Sequence, residues 1–414
     1  MNYEDIFDKL MYFKPFINKT IVLSHLKIMG KYPDFNSVYS KNRQDDENLD
    51  PVKNVCMTLV LGLQTGAISL VDLDELLFLL IEDKLFTSFL FNLEDSNQIS
   101  KSEASIQSTL NEWGVPKEKN ILKGLSQKET FEKFVIAGHR TNQCDSIRLL
   151  LLDKNLITLK EKNKEPELAV YATLIEIDFR RNLLHVRLKD VDKIESSQIG
   201  VRTLEGRIER TLKFLDSLQP FFSYKRLSNF RASLFRLEEH LLQPKREAAH
   251  KELTKFQQHI DNFSSLIDSN FPTNHENGVT TQTYVSNTVL AIISSSLDLS
   301  QIGDVVGIKF RNQRDESTTS FAEVAISDKG FKCISTDKLY WSNLATLLEQ
   351  RKIEFLKIGT LVPSGFVDVN LEFRIETANI KLNQSSKGTP SEGDKRPTDE
   401  KYSDFVDYLL PFIR

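Results

Sequence analysis

Between His139 and Arg148 the chain gathers side chains of the kind that hold and read nucleic acid: His139, Arg140, Asn142 and Gln143, with Thr141 among them and Arg148 shortly after. Arginine grips phosphate through a planar fork, and the amides of asparagine and glutamine match the edge of adenine. Lys160, Lys162 and Lys164 follow in a polar stretch and are suited to phosphate contact. A second basic set lies between 201 and 260, where twelve Lys/Arg stand against seven Asp/Glu. It includes Arg226 and Arg231, and Phe221, Phe222, Tyr224 and Phe230 interleave with it in a pattern suited to stacking on single strands. The bland reading of both sets is a solvated face over packed aromatics, with Glu205, Glu209, Glu238 and Glu239 as intrahelical partners.

Other chemistry finds less support. Glu176 and Asp178 on one expected strand, with Lys189 on the next, come nearest to a magnesium-dependent nuclease. The upstream aspartate is missing, and charges that alternate along a strand usually mark a solvated sheet face. His240, His250 and His259 do not share one helical stripe, and His25, His139, His185 and His275 belong to no ligand motif. Gly30-Lys31 lacks the upstream glycine and the following Ser/Thr of a phosphate loop, and neither G-x-G-x-x-G nor G-x-S-x-G occurs. Cys56, Cys144 and Cys333 are widely separated and make neither a disulfide framework nor a zinc knuckle. No cofactor and no metal are expected.

The elements that must carry these residues divide a chain of 414 residues into several folded units. The expected class is α+β and multi-domain, with a helical N-terminal domain, a winged-helix-like unit, a helical bundle and a C-terminal α+β domain with a partly antiparallel sheet. Residues 1–101 read as an acidic helical domain; within them, 41–100 hold four Lys/Arg against eleven Asp/Glu. Residues 102–200 read as the winged-helix-like unit with a β-hairpin. Its second helix would start at the Ser126/Glu129 capping pair, and its recognition helix would run from Cys144 to Lys154. Residues 201–272 read as a bundle divided by Pro220 and Pro244, with a seam at Leu227, Phe230, Leu234, Leu237 and Leu241. Residues 280–383 read as the α+β domain, whose clearest strand alternates Val367, Val369, Leu371, Phe373 and Ile375. A polar linker, 384–400, then leads to an amphipathic tail, 401–414, with Phe405, Leu409 and Phe412 as candidate anchors for a partner's groove.

The acidic start of the chain carries no secretory signal, and charges interrupt every apolar window long enough to suggest a membrane span. A cytoplasmic protein without membrane attachment is expected. DNA, other proteins and a second copy of the chain are the candidate partners. The function that follows is a non-enzymatic subunit of a nucleic-acid-associated assembly, with bacterial DNA processing or phage defence as one setting. The alternatives are a divergent metal-dependent nuclease and a purely protein-binding scaffold. In the last of these, Arg140, Arg148 and the basic helices would be paired internally with acids.

Overall fold

The computed structural model describes residues 2–94, 102–125, 134–142, 145–160, 165–189, 194, 202–271, 277–294, 304–312, 321–328, 331–385 and 395–414. The chain is a mixed α and β protein with extensive antiparallel sheet. It forms two compact units, Met1–Lys225 and Arg226–Arg414. Among the described residues no helix is long and apolar enough to cross a membrane.

The first unit opens with five helices: α1 (Tyr3–Tyr12), α2 (Lys19–Ile28), α3 (Phe35–Asp45), α4 (Pro51–Gln64) and α5 (Leu70–Glu82). Their starts are written into the sequence. Asn2 caps α1 by accepting from the Asp5 N–H at 2.7 Å, and Asp50 caps α4 with Pro51 at the first helical position. Ser69 and Asp72 form a reciprocal capping box on α5. Ile6, Leu10 and Phe13 sink into a core shared with Leu59, Leu73, Leu76, Leu77 and Leu80. Tyr32 lies against α4 so closely that a Cβ at Gly62 would collide with its ring, and its hydroxyl donates to the Thr58 carbonyl at 3.1 Å.

Strand β1 (Thr87–Glu94) follows, then α6 (Glu103–Glu112) and the single turn α7 (Ile121–Gly124). Next come β2 (Phe134–Asn142), β3 (Ser146–Asp153), β4 (Ile157–Leu159), β5 (Glu167–Ala169), β6 (Ala172–Asp178) and β7 (Leu183–Leu188). Four of them join β1 in antiparallel pairing, in the order β1-β7-β6-β3-β2, and β4 pairs with β5 as a separate ribbon. Here the structure corrects the sequence. The expected recognition helix is strand β3, and residues 134–137, expected to continue the helix begun at Ser126, open strand β2. The Ser126/Glu129 pair, Gln143, Cys144, Lys162 and Lys164 lie outside the described residues. The physical reason is the run Leu149–Leu152, buried on both faces of the sheet: a short continuous apolar run has no period that separates a strand from a buried helix. Strand β1 joins the same sheet from within the stretch expected to be all helical. Helix α8 (Leu204–Ser217) and β8 (Ser223–Arg226) complete the unit and reach its boundary.

The second unit begins with α9 (Phe230–Leu253), which runs unbroken through Pro244, where two shorter helices were expected. The 3₁₀ turn Thr254–Phe256, α10 (Gln257–Asn270) and α11 (Thr281–Ile293) follow. Strands β9 (Asp304–Asn312) and β10 (Ala322–Ser327), helix α12 (Lys338–Gln350), and strands β11 (Phe355–Val362), β12 (Gly365–Arg374) and β13 (Thr377–Asn383) match the expected α+β pattern. The sheet order is β10-β9-β11-β12-β13, antiparallel at every pairing. The last helix, α13 (Asp399–Ile413), packs against α9, β11 and β12 of its own unit. Phe405 and Leu409 are fully buried there, so the stripe expected to anchor a partner is spent within the chain. Each unit holds one described cysteine, Cys56 on α4 and Cys333 before α12, and both are buried.

Candidate functional site

Of the residues expected to meet nucleic acid, Arg140 and Arg148 come together on the first unit's sheet. The register sets Arg140 on β2 opposite Arg148 on β3, Arg148 opposite Glu176 on β6, and Glu176 opposite His185 on β7. Two guanidiniums side by side repel each other unless an anion lies between them. Glu82 from α5 supplies it. Its carboxylate, 4% exposed, accepts from Arg140 Nη1 at 3.1 Å and from Arg148 Nη1 at 2.5 Å. Seven residues earlier on the same helix, Glu75 takes Arg140 Nη2 at 3.1 Å and Lys119 Nζ at 2.5 Å. Arg148 Nη2 continues to Glu176 at 2.8 Å, and Arg187 Nη1 approaches the other Glu176 oxygen at 3.5 Å. The result is a chain of alternating charge running from α5 across four strands.

Its titratable neighbours are held neutral or bound. Burial, helped by the guanidiniums of Arg181, Arg187 and Arg148, pushes the His185 imidazole down to about 3, against the pull of Asp178. His139, expected at the DNA surface, instead donates from Nδ1 to the Pro116 carbonyl at 3.1 Å, and burial lowers its pKa. Asn142 lies exposed at the end of β2. Asp178 is taken by Arg181 at 2.6 Å, and Lys189 donates to the Pro15 carbonyl at 2.7 Å. Burial drives that ammonium down to about 8. The nuclease constellation is therefore dispersed: its two carboxylates face guanidiniums, and its lysine faces a backbone carbonyl. Among the described residues no cluster of His, Cys, Asp and Glu is arranged to hold a metal ion.

Four members of the second basic set are likewise paired with acids. Arg226 pairs with Glu376, and Arg231 with Glu354 at 2.8 Å while lying over the Phe373 ring. Arg246 donates to both oxygens of the fully buried Glu238, and the Tyr340 hydroxyl donates to Glu238 at 2.8 Å. Lys245 reaches Asp304 at 2.5 Å. Phe412, the third tail anchor, sits with its ring 5.4 Å from that of His240 on α9.

One surface feature escaped the sequence. A cleft of about 450 Å³ opens between α1 and α4, floored by Phe7, Met57, Val60 and Leu61 and flanked by Tyr3, which is 47% exposed. Glu4 and Asp8, one helical turn apart, stand on its rim, with Gln64 on the opposite helix. The signal for it was present: α1 carries apolar residues at Tyr3 and Phe7 as well as at Ile6, Leu10 and Phe13, a wider arc than one buried stripe needs. The cleft has a largely apolar floor and an acidic edge, a form suited to binding and without groups arranged for catalysis. No protein-family model matches the chain, and no curated protein matches it either.

Proposed function

We propose that this protein is a non-enzymatic binding component of a multi-protein assembly and that it engages protein in preference to nucleic acid. The supporting observation is the internal neutralisation of the arginines on which a nucleic-acid reading depends, above all Arg140 and Arg148 around Glu82. Arg148, 14% exposed, would have to leave a buried carboxylate to take up a phosphate, and Arg140 already has both terminal nitrogens on Glu75 and Glu82. Removing one partner of such a pair costs on the order of 3–5 kcal/mol, whereas an exposed phosphate contact returns less and weakens with salt.

The test uses the purified full-length protein with labelled duplex and single-stranded DNA across a salt series, with and without magnesium. The expected result is no salt-sensitive binding. Binding that weakens steeply with salt would overturn the protein-binding reading and bring DNA processing or defence back as the setting; charge reversals at Arg140 and Arg231 would then locate the surface. Magnesium-dependent cleavage would overturn the non-enzymatic assignment.

A further inference from the structure

We propose that the cleft between α1 and α4 receives an amphipathic helix from a partner protein, its apolar stripe seated on Phe7, Met57 and Leu61 and its flanks carrying Lys or Arg opposite Glu4 and Asp8. This deepens the protein-binding reading and rests on it.

Two independent observations specify the occupant. The first is the apolar floor. Phe7, Met57 and Leu61 remain partly exposed beside the fully buried Leu10 and Leu59, so the core is closed beneath them and their outer surfaces are left in water. Covering such surface is favourable by roughly 25 cal/mol per Å², and a groove between two helices is the usual seat for a third.

The second is the rim. Glu4 and Asp8 stand four residues apart on α1, a like-charge spacing that destabilises a helix by about 0.2–0.5 kcal/mol. Their neighbour Asp5 is matched by Lys9 at 3.2 Å, whereas among the described residues neither Glu4 nor Asp8 takes an ion pair or a side-chain hydrogen bond. Two unmatched carboxylates beside an apolar floor complement a helix with basic flanks, and they repel nucleic acid and anionic lipid alike.

The probe is a fluorescent peptide of roughly 18 residues, long enough to form a helix alone, with leucine on one face and lysine on the other. Versions with glutamate or glutamine in place of lysine are its comparators. Binding to the full-length protein is followed by anisotropy, for the wild type, for Leu61→Glu, and for the double reversal Glu4→Lys/Asp8→Lys. Both rim positions are exposed, so the reversal is expected to leave the fold intact, and an unchanged thermal transition is the control.

The lysine peptide is expected to bind at least about tenfold more tightly than the glutamate peptide. Leu61→Glu should weaken it about tenfold, and the rim reversal should invert the preference. Equal affinity for wild type and both variants, or no binding of the lysine peptide at low salt, overturns the proposal. So does a glutamine peptide that binds as tightly as the lysine one. Failure here without DNA binding removes the cleft alone; salt-sensitive DNA binding removes the reading on which it rests.

Discussion

The last helix and the first both carry apolar residues at helical spacing, three and four apart in α13 at Tyr402, Phe405 and Leu409, four and three apart in α1 at Tyr3, Phe7 and Leu10, yet they end in different circumstances. Phe405 and Leu409 are buried by α9, β11 and β12, whereas Tyr3 and Phe7 are left along an open cleft. The spacing marks a face that wants cover. What covers it depends on the surfaces its own unit has to offer. Helix α13 meets a sheet and a long helix; α1 uses Ile6 and Leu10 to close the core, and among the described residues Tyr3 and the outer side of Phe7 stay partly exposed. The same contrast separates Arg140, paired with Glu75 and Glu82 inside the unit, from Glu4, which among the described residues takes no ion pair.

The contrast can be broken most forcefully at its buried end. Glu82→Ala leaves Arg140 and Arg148 facing each other across the sheet without their shared anion. A loss of about 3–5 kcal/mol is expected in the urea unfolding of the full-length protein, and an unchanged midpoint would mean that the pairs contribute nothing. Phe405→Ala should cost a similar 3–5 kcal/mol or so, because a fully buried ring is exchanged for a cavity. A change below about 0.5 kcal/mol would show that α13 does not hold its place in solution.

Asp74 sharpens the comparison through pH. Burial raises its carboxyl from 3.8 to about 6, although it accepts the Leu122 N–H at 3.1 Å. The folded protein holds that proton more tightly than the unfolded chain, so the stability it contributes is full below about pH 4 and is lost as pH rises through 6. Asp74→Asn keeps an acceptor for Leu122. It should therefore be more stable than wild type at pH 7.5 by about 1–3 kcal/mol, and no more stable at pH 4. Gly62→Ala sets a methyl group against the Tyr32 ring and should cost about 1–3 kcal/mol by differential scanning fluorimetry. The smallest effect belongs to the open end: Tyr3→Ala should move stability by no more than about 0.5 kcal/mol while weakening peptide capture.

Much of the second unit was legible because its signals are local. Alternation in Val367–Phe373 marks a strand with one wetter face, and the spacing of Tyr402, Phe405 and Leu409 marks a helix. The first unit's sheet was not, because Leu149–Leu152 are buried on both sides and alternation is erased. Pro244 also misled: at that point α9 continues, and Glu238 and Arg246 on either side of the proline are bound to each other and to Tyr340, which holds the helix across the missing hydrogen bond. Arg140 and Arg148 were expected on an exposed surface, and the structure holds them against Glu82. Composition reveals that Arg140 and Arg148 exist; the register sets them side by side, and only the packing of α5 on the sheet puts Glu82 between them.

The placement of the two described cysteines gives the protein a pair of internal clocks. Cys56 sits at the centre of the first unit, its thiol pushed up to about 12 by burial, and Cys333 is equally sealed in the second. A thiol reagent reacts with the thiolate at a position solvent can enter, so neither sulfur is modified until the structure around it opens. Following each adduct separately by peptide mass would time the breathing of one unit against the other. A helix settling into the α1–α4 cleft would then register as a slowing of the Cys56 clock alone.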